Sequence, residues 1–303
     1  GYAGGELLRL LLSHPMTEVA QVTSERNAGK FVFSIHPNLR KRTQLKFVSV
    51  ESVEPVDVLF IATPHGASMK KMEAFRKLAP IVIDLSADFR LNSKDGYPKW
   101  YAHEHELPEL LTEFVYGIPE LHREAIRKAN LISSAGCMAT TSILGLYPLF
   151  QAGVVDLTKP TVIEAKTGSS GSGNTPGLAS HHPERAGVMR SFKPTGHRHS
   201  AEIIQELTFD GAAPEIAFSA TSIEAVRGIL ATAHVYLKEP MSDKDVWGRC
   251  RCRETEVNWV STAMRMMSEF MQLLIGMSIR RYLPAIGTAG LERSFVRGKS
   301  RLP

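Results

Sequence analysis

Residues 56–86 read VDVLFIATPHGASMKKMEAFRKLAPIVIDLS, and this stretch decides the fold. Val56–Thr63 is a nearly continuous apolar run that stops at Pro64-His65-Gly66. Such a run suits a strand buried on both faces of a parallel sheet. Ala67–Leu78 reads as a helix and Ile81–Ser86 as a second buried strand. Strand, helix and strand in that order predict parallel neighbours joined by a right-handed crossover. Toward the N-terminus, Leu7, Leu8, Leu10, Leu11 and Leu12 give Gly5–Ser13 a helical apolar face that His14-Pro15 ends, and Glu18–Thr23 follows as a short strand. Toward the C-terminus come a helix over Leu121–Ala129, a strand over Leu131–Ser134, Gly136-Cys137 and a helical stretch over Thr141–Phe150. The alternation predicts an α/β fold with a Rossmann-type, doubly wound parallel sheet. After about Pro160 the pattern changes. A strand over Thr161–Thr167, a Gly/Ser loop over Gly168–Gly173, a short helix over Ala201–Leu207 and strands over Glu215–Ala220 and Ile229–Leu237 predict a second, α+β domain.

Composition bounds the function. A chain of 303 residues, 43% hydrophobic and 22% charged, suits about two soluble globular domains. Three cysteines make no disulfide framework, which places the chain in a reducing compartment, the cytoplasm. No segment reaches the ~18 uncharged apolar residues of a membrane span, and the best, Phe270–Ile279, is half that. The net charge of +5 is local, because Arg249–Pro303 holds ten basic and four acidic residues while the other 248 residues hold 26 and 27. The body therefore gives no reason to invoke nucleic acid.

Several residue groups suit chemistry, each with a plainer alternative. Gly1, Gly4 and Gly5 precede the Leu-rich helix, as glycines do where backbone N–H groups approach a phosphate at a helix N-terminus; an ordinary glycine turn is the alternative. The next strand ends at Thr23-Ser24-Glu25-Arg26, where Ser24 and Arg26 suit the 2′-phosphate of NADP or a solvated turn. Cys137 sits between a strand and a helix, beside a glycine. That position stabilises a nucleophilic thiolate, although buried cysteines are commonly structural. His197 and His199 flank Arg198 and suit proton transfer or a plain surface. Arg90, just past a strand end, suits a phosphate oxyanion or a salt bridge to Asp84 or Asp88. His181, His182 and Cys137 match no zinc spacing, and Cys250-Arg251-Cys252 is not C-x-x-C, so no metal is expected.

The strings Gly-Tyr-Ala-Gly-Gly-Glu-Leu-Leu (from Gly1), Ala-Thr-Pro-His-Gly (from Ala62), Asp-Leu-Ser-Ala-Asp-Phe-Arg-Leu (from Asp84), Tyr-Gly-Ile-Pro-Glu (from Tyr116), Gly136-Cys137 and Gly-His-Arg-His-Ser-Ala-Glu (from Gly196) occur in order. Together they resemble the N-acetyl-γ-glutamyl-phosphate reductases of the semialdehyde dehydrogenase superfamily, over Gly1 to about Trp247. Ser-Ala-Gly-Cys-Met-Ala-Thr around Cys137, Lys166–His199 and the segment from Phe218 look closest to the branch acting on amino-group carrier protein conjugates.

The resemblance implies a set of roles. Cys137 is the nucleophile, with His199 or His197 as acid/base. Gly1, Tyr2, Ala3 and Gly4 cradle the pyrophosphate, and Ser24, Glu25 and Arg26 form the NADP-discriminating turn. Arg90, Ser170 and Arg198 bind substrate. The implied reaction is NADPH-dependent reduction of carrier-linked 2-aminoadipate 6-phosphate or glutamate 5-phosphate to the semialdehyde, in lysine or arginine biosynthesis. It implies a small acidic carrier protein as partner, no nucleic acid or membrane, and a homo-oligomer. Arg185, Arg190, Lys193 and Arg198 would steer that carrier, or else bind substrate anions only.

The implied domains are 1–136 (NADP-binding), 137–248 (catalytic and substrate) and 249–303 (a divergent basic tail). The family's first strand and its closing Gly-Thr-Asn segment are not found, and the tail reads like a shifted frame. Reduction of N-acetyl-glutamyl phosphate, aspartate-semialdehyde chemistry and a catalytically dead copy that only binds are the competing readings.

Overall fold

A computed structural model describes residues 1–250. The tail reading of residues 251–303 therefore lies outside the described residues.

Ten strands alternate with nine helices in the described residues. Helix α1 (Tyr2–Leu11), β1 (Val22–Thr23), α2 (Val32–Ile35) and β2 (Phe47–Val48) come first. Strand β1 pairs with β2 in parallel over a small core of Leu8, Val32, Leu39 and Phe47. Next come β3 (Val58–Ile61), α3 (Met72–Leu78), β4 (Ile81–Asp84), α4 (Gly96–Tyr101), β5 (Phe114–Gly117), α5 (Pro119–Ile126) and β6 (Leu131–Ser134). These strands make an all-parallel sheet of order β3-β4-β6-β5. Its core holds Val82, Phe89, Tyr97 and Phe114.

Helix α6 (Cys137–Gln151) leads into the second sheet: β7 (Thr161–Thr167), α7 (His182–Arg185), β8 (Arg190–Lys193), α8 (His199–Glu206), β9 (Ile216–Ser222) and β10 (Ile229–His234), with α9 (Asp243–Cys250) behind. The order is β10-β7-β9-β8, with only β7 and β9 parallel. Alternate residues of β7, Thr161, Ile163 and Ala165, point into a core shared with Phe218, Ala220 and Ile229. Helix α6 is apolar on most faces and is correspondingly buried, and its Thr140 and Ser142 hydroxyls donate back to the carbonyls four residues earlier.

Three expectations change. Among the described residues strand β3 is an edge strand with one neighbour, and Val56–Thr63 is not buried on both faces, Val58 being 38% exposed. The helix expected from Ala67 starts at Met72 after a single 3₁₀ turn. The Asp88 carboxylate accepts the N–H groups of Gly66, Ser68 and Met69 and holds that turn open. The strand expected over Glu18–Thr23 shrinks to Val22–Thr23.

Candidate active site

Strand β6 ends at Ser134, and the turn Ala135-Gly136 starts α6 with Cys137 as its first residue. This places the cysteine at the carboxyl end of the parallel sheet, where ligands of open α/β sheets bind. Cys137 is exposed to solvent.

Behind it lies Glu202, fully buried, which the sequence did not single out. Its Oε2 accepts the Gly136 N–H at 2.7 Å and the Tyr116 hydroxyl at 2.6 Å. Its Oε1 faces Arg90 Nη1 at 3.4 Å. Arg90 pairs with this residue rather than with Asp84 or Asp88. It also donates from Nε to the Ser134 carbonyl (2.8 Å) and from Nη2 to the Leu85 carbonyl (3.2 Å). A buried pair satisfied on both sides is rigid, and it is costly to break from either end. The missing side chain of Gly136 makes the arrangement fit, because a Cβ there would stand 2.6 Å from both Glu202 Oε1 and His199 Nε2.

Desolvation changes the expectation for the thiol. An open helix N-terminus lowers a cysteine pKa. Here protein atoms around the sulfur raise it. Arg90 and the N–H groups of Met138 and Cys137 pull it down, Glu202 pushes it up, and the net direction is up. The resting group is the thiol.

His199 opens α8 and is buried, with Nε2 3.8 Å from Glu202 Oε1. Its Nδ1 has no hydrogen-bond partner among the described residues. Burial, then the neighbouring His197 and Arg90, hold its pKa well below the ordinary range. His197 is half-buried and lies edge-on to His199, with ring centroids 4.6 Å apart. Its Nδ1 accepts the His199 N–H at 3.1 Å, which leaves its proton on Nε2. Burial and Arg198 push its pKa down to about 4. Both rings are neutral at neutral pH.

The remaining predicted residues fall into two groups. Arg198 comes to the site, with Nη2 2.9 Å from His65 Nε2 on the loop after β3. The Gly/Ser loop is more occupied than expected. The N–H groups of Gly168, Ser169, Ser170, Gly171 and Gly173 all donate to backbone carbonyls, so from Ser170 it is the hydroxyl that remains to offer a ligand. The basic patch is also smaller. Arg185 turns inward to the Ser222 hydroxyl and the Ile223 carbonyl, while Arg190 and Lys193 lie on exposed β8.

At the head of the first helix, Gly1 caps α1 and Tyr2 and Ala3 are exposed in its first turn, with Gly4 half-buried. A Cβ on Gly1 would stand 3.8 Å from Asn174 Oδ1, which brings the exit of the Gly/Ser loop to this helix. Ser24 follows β1 and receives the Asn27 side-chain amide at 3.1 Å. Glu25 accepts the Val50 N–H at 2.6 Å, and Arg26 is exposed. Among the described residues no group of three His, Cys, Asp or Glu is placed to hold a metal.

A parallel dinucleotide-type sheet and a mixed sheet meet at an exposed cysteine, with His199 against the preceding Gly136 and His197 beside His199, which defines a two-unit α/β protein built around a thiol. Residues 1–129 match the semialdehyde dehydrogenase NAD binding domain, and residues 137–266 match the semialdehyde dehydrogenase dimerisation domain. The chain belongs to the semialdehyde dehydrogenase family and is an NAD(P)-dependent enzyme.

A relative in Thermomicrobium roseum, provisionally named a LysW-L-2-aminoadipate 6-phosphate reductase, is 60% identical over 247 residues, 82% of this chain and 70% of the relative. The LysW-L-2-aminoadipate 6-phosphate reductase of Deinococcus radiodurans is 47% identical over 251 residues, 83% of this chain and 71% of the relative. In fold the chain resembles aspartate semialdehyde dehydrogenase II of Vibrio cholerae, at a TM-score of 0.59 and 16% identity over 84% of this chain and 78% of that one.

Proposed function

We propose that this protein reduces the acyl phosphate of 2-aminoadipate, glutamate or both, carried on a small acidic amino-group carrier protein, to the semialdehyde with NADPH. The exposed Cys137 at the head of α6, against the buried Arg90–Glu202 pair, is the observation that carries this reading. The names of the relatives support the substrate class.

In this reading residues 1–136 bind cofactor and 137–248 carry the chemistry. The Cys137 thiol loses its proton to a neutral histidine. His199 takes that role because its Nε2 lies beside Gly136, and His197 positions it by accepting its backbone N–H. The sulfur attacks the acyl carbon, a C–S bond forms, the C–O bond to phosphorus breaks, and the electron pair leaves with phosphate. Bound NADPH supplies the hydride that reduces the thioester. The thiohemiacetal on Cys137 then collapses to aldehyde and thiol as the histidine returns its proton. Two modest steps replace one difficult step.

The residues at the end of β1 fit NADP. One Glu25 oxygen is held by the Val50 N–H, while exposed Arg26 and the Ser24 hydroxyl suit a 2′-phosphate. Gly1, Tyr2, Ala3 and Gly4 at the head of α1 suit the pyrophosphate. Arg190 and Lys193 on exposed β8 suit an acidic carrier, and the second sheet suits a homo-oligomer. Among the described residues no helix is long and apolar enough to cross a membrane.

The test is NADPH oxidation by the purified chain with carrier-linked aminoadipyl or glutamyl phosphate, with Cys137→Ser alongside. Cysteine-dependent turnover with a KM that rises steeply with salt is expected. Absence of turnover with either substrate would remove the reading, and a flat salt response would remove the carrier.

A further inference from the structure

The donors expected for the leaving phosphate are largely engaged elsewhere. Arg90 is held by Glu202, Ser134 and Leu85, and the Gly/Ser loop has turned its N–H groups onto its own neighbours. One contact nearby is frustrated. His65 Nδ1 receives the Ala87 N–H at 2.9 Å, and His65 Nε2 lies 2.9 Å from Arg198 Nη2. A neutral imidazole has one bare nitrogen. Both neighbours are donors, so in either tautomer one ring N–H confronts another N–H.

The Ala87 N–H belongs to the backbone and is fixed, which assigns the bare nitrogen to Nδ1 and the proton to Nε2. The guanidinium of half-buried Arg198 and the Nε2–H of exposed His65 then point at the same small space. An acceptor placed there satisfies both.

A third donor stands unpartnered. The Tyr101 hydroxyl is buried with no hydrogen-bond partner among the described residues, within electrostatic reach of Arg90 and Arg198. Arg198 immediately precedes His199 at the head of α8, which puts the space beside the proposed chemistry.

We propose that His65 Nε2–H and Arg198, with Tyr101 behind them, form the subsite for the phosphate that leaves the acyl group, and that His65 is a substrate-binding residue. This deepens the acyl-phosphate reading and rests on it for the identity of the ligand. His65 comes from the loop after β3 and Arg198 from the head of α8, so a bound phosphate also bridges the two sheets' elements. Partial burial, then Arg198 and Arg90, push the free His65 pKa down to about 4, and a bound phosphate dianion reverses that push.

The experiment is titration of wild-type protein with inorganic phosphate while the histidine ring nitrogens are followed by NMR, with chloride at equal ionic strength as control. The expected result is a phosphate-specific shift of one histidine Nε2–H that is absent from the spectra of both His65→Leu and His65→Gln, while phosphate affinity falls in His65→Leu and is largely kept in His65→Gln, whose amide N–H stands near Nε2. In the reverse reaction, with semialdehyde and NADP⁺, the KM for phosphate rises at least ~10-fold in His65→Leu, as expected for loss of a charge-assisted hydrogen bond, while the KM for NADP⁺ stays within twofold. No His65 signal moving in wild-type protein at saturating phosphate would overturn the proposal whether or not the variants fold. A rise in the KM for semialdehyde with an unchanged KM for phosphate would overturn it in favour of a carboxylate site. Phosphate binding at His65 without acyl-phosphate turnover would uphold the subsite while the functional reading fails.

Discussion

The floor beneath Cys137 and the surface at the head of α1 differ in how completely their polar groups are held. At the floor, Glu202, Arg90 and His199 are at most 6% exposed, and the carboxylate has a partner for each oxygen. At the other site Tyr2, Ala3, Glu25 and Arg26 are exposed and few of their groups are engaged. The two jobs proposed for these sites explain the contrast. Charge that develops during bond-making is stabilised best by dipoles already fixed in a poorly solvated place. A dinucleotide brings its own phosphates and completes a surface that waits in water.

The strongest way to break the contrast is Glu202→Ala. It leaves the Arg90 guanidinium buried without its carboxylate, and a loss of about 3–5 kcal/mol of folding stability is expected from denaturant unfolding. Glu202→Gln, which keeps the shape, should lose less. Cys137→Ser leaves the floor intact and should retain stability while turnover falls at least ~100-fold, about 2.7 kcal/mol in activation free energy. Near-normal turnover would remove Cys137 from its role.

At the exposed end the effects shrink. Arg26→Ala should raise the KM for NADPH about 10-fold, or about 1.4 kcal/mol, and leave NADH alone. Equal effects on both cofactors would refute the 2′-phosphate assignment.

The pH slope tests the half-buried edge of the floor. His197 has a folded pKa of about 4, below its unfolded value of 6.5. Between those values the unfolded chain binds more protons, so stability rises with pH through the window and levels off above it. Urea midpoints at pH 5 and pH 7 measure this, and His197→Gln should flatten the slope.

Much of the fold was legible. Leu131–Ser134 and Thr161–Thr167 were read to the residue because each runs into a clear glycine break, at Gly136 and at Gly168. Phe114–Gly117 was missed because it runs straight into Gly117-Ile118-Pro119, which reads as a turn, and Arg190–Lys193 because an edge strand exposed along its whole length has no apolar alternation to read. At the candidate site, Cys137, His197, His199, Arg90 and Arg198 were named from sequence, and the structure gathers them around Glu202. The carboxylate was overlooked although a signal existed, since three residues after His199 on a helix is the same face. His65 could not have been found, because its meaning lies in the tautomer imposed by the Ala87 N–H across the sheet.

The protein packed around the Cys137 sulfur, with Glu202 adding to its effect, has one more consequence, for durability in air. Peroxide and alkylating agents consume thiolate, and Cys137, kept protonated between turnovers, offers them little of it. The protein should tolerate oxidants that inactivate enzymes whose cysteines rest ionised, and the pH dependence of iodoacetamide inactivation should rise only above the ordinary thiol range.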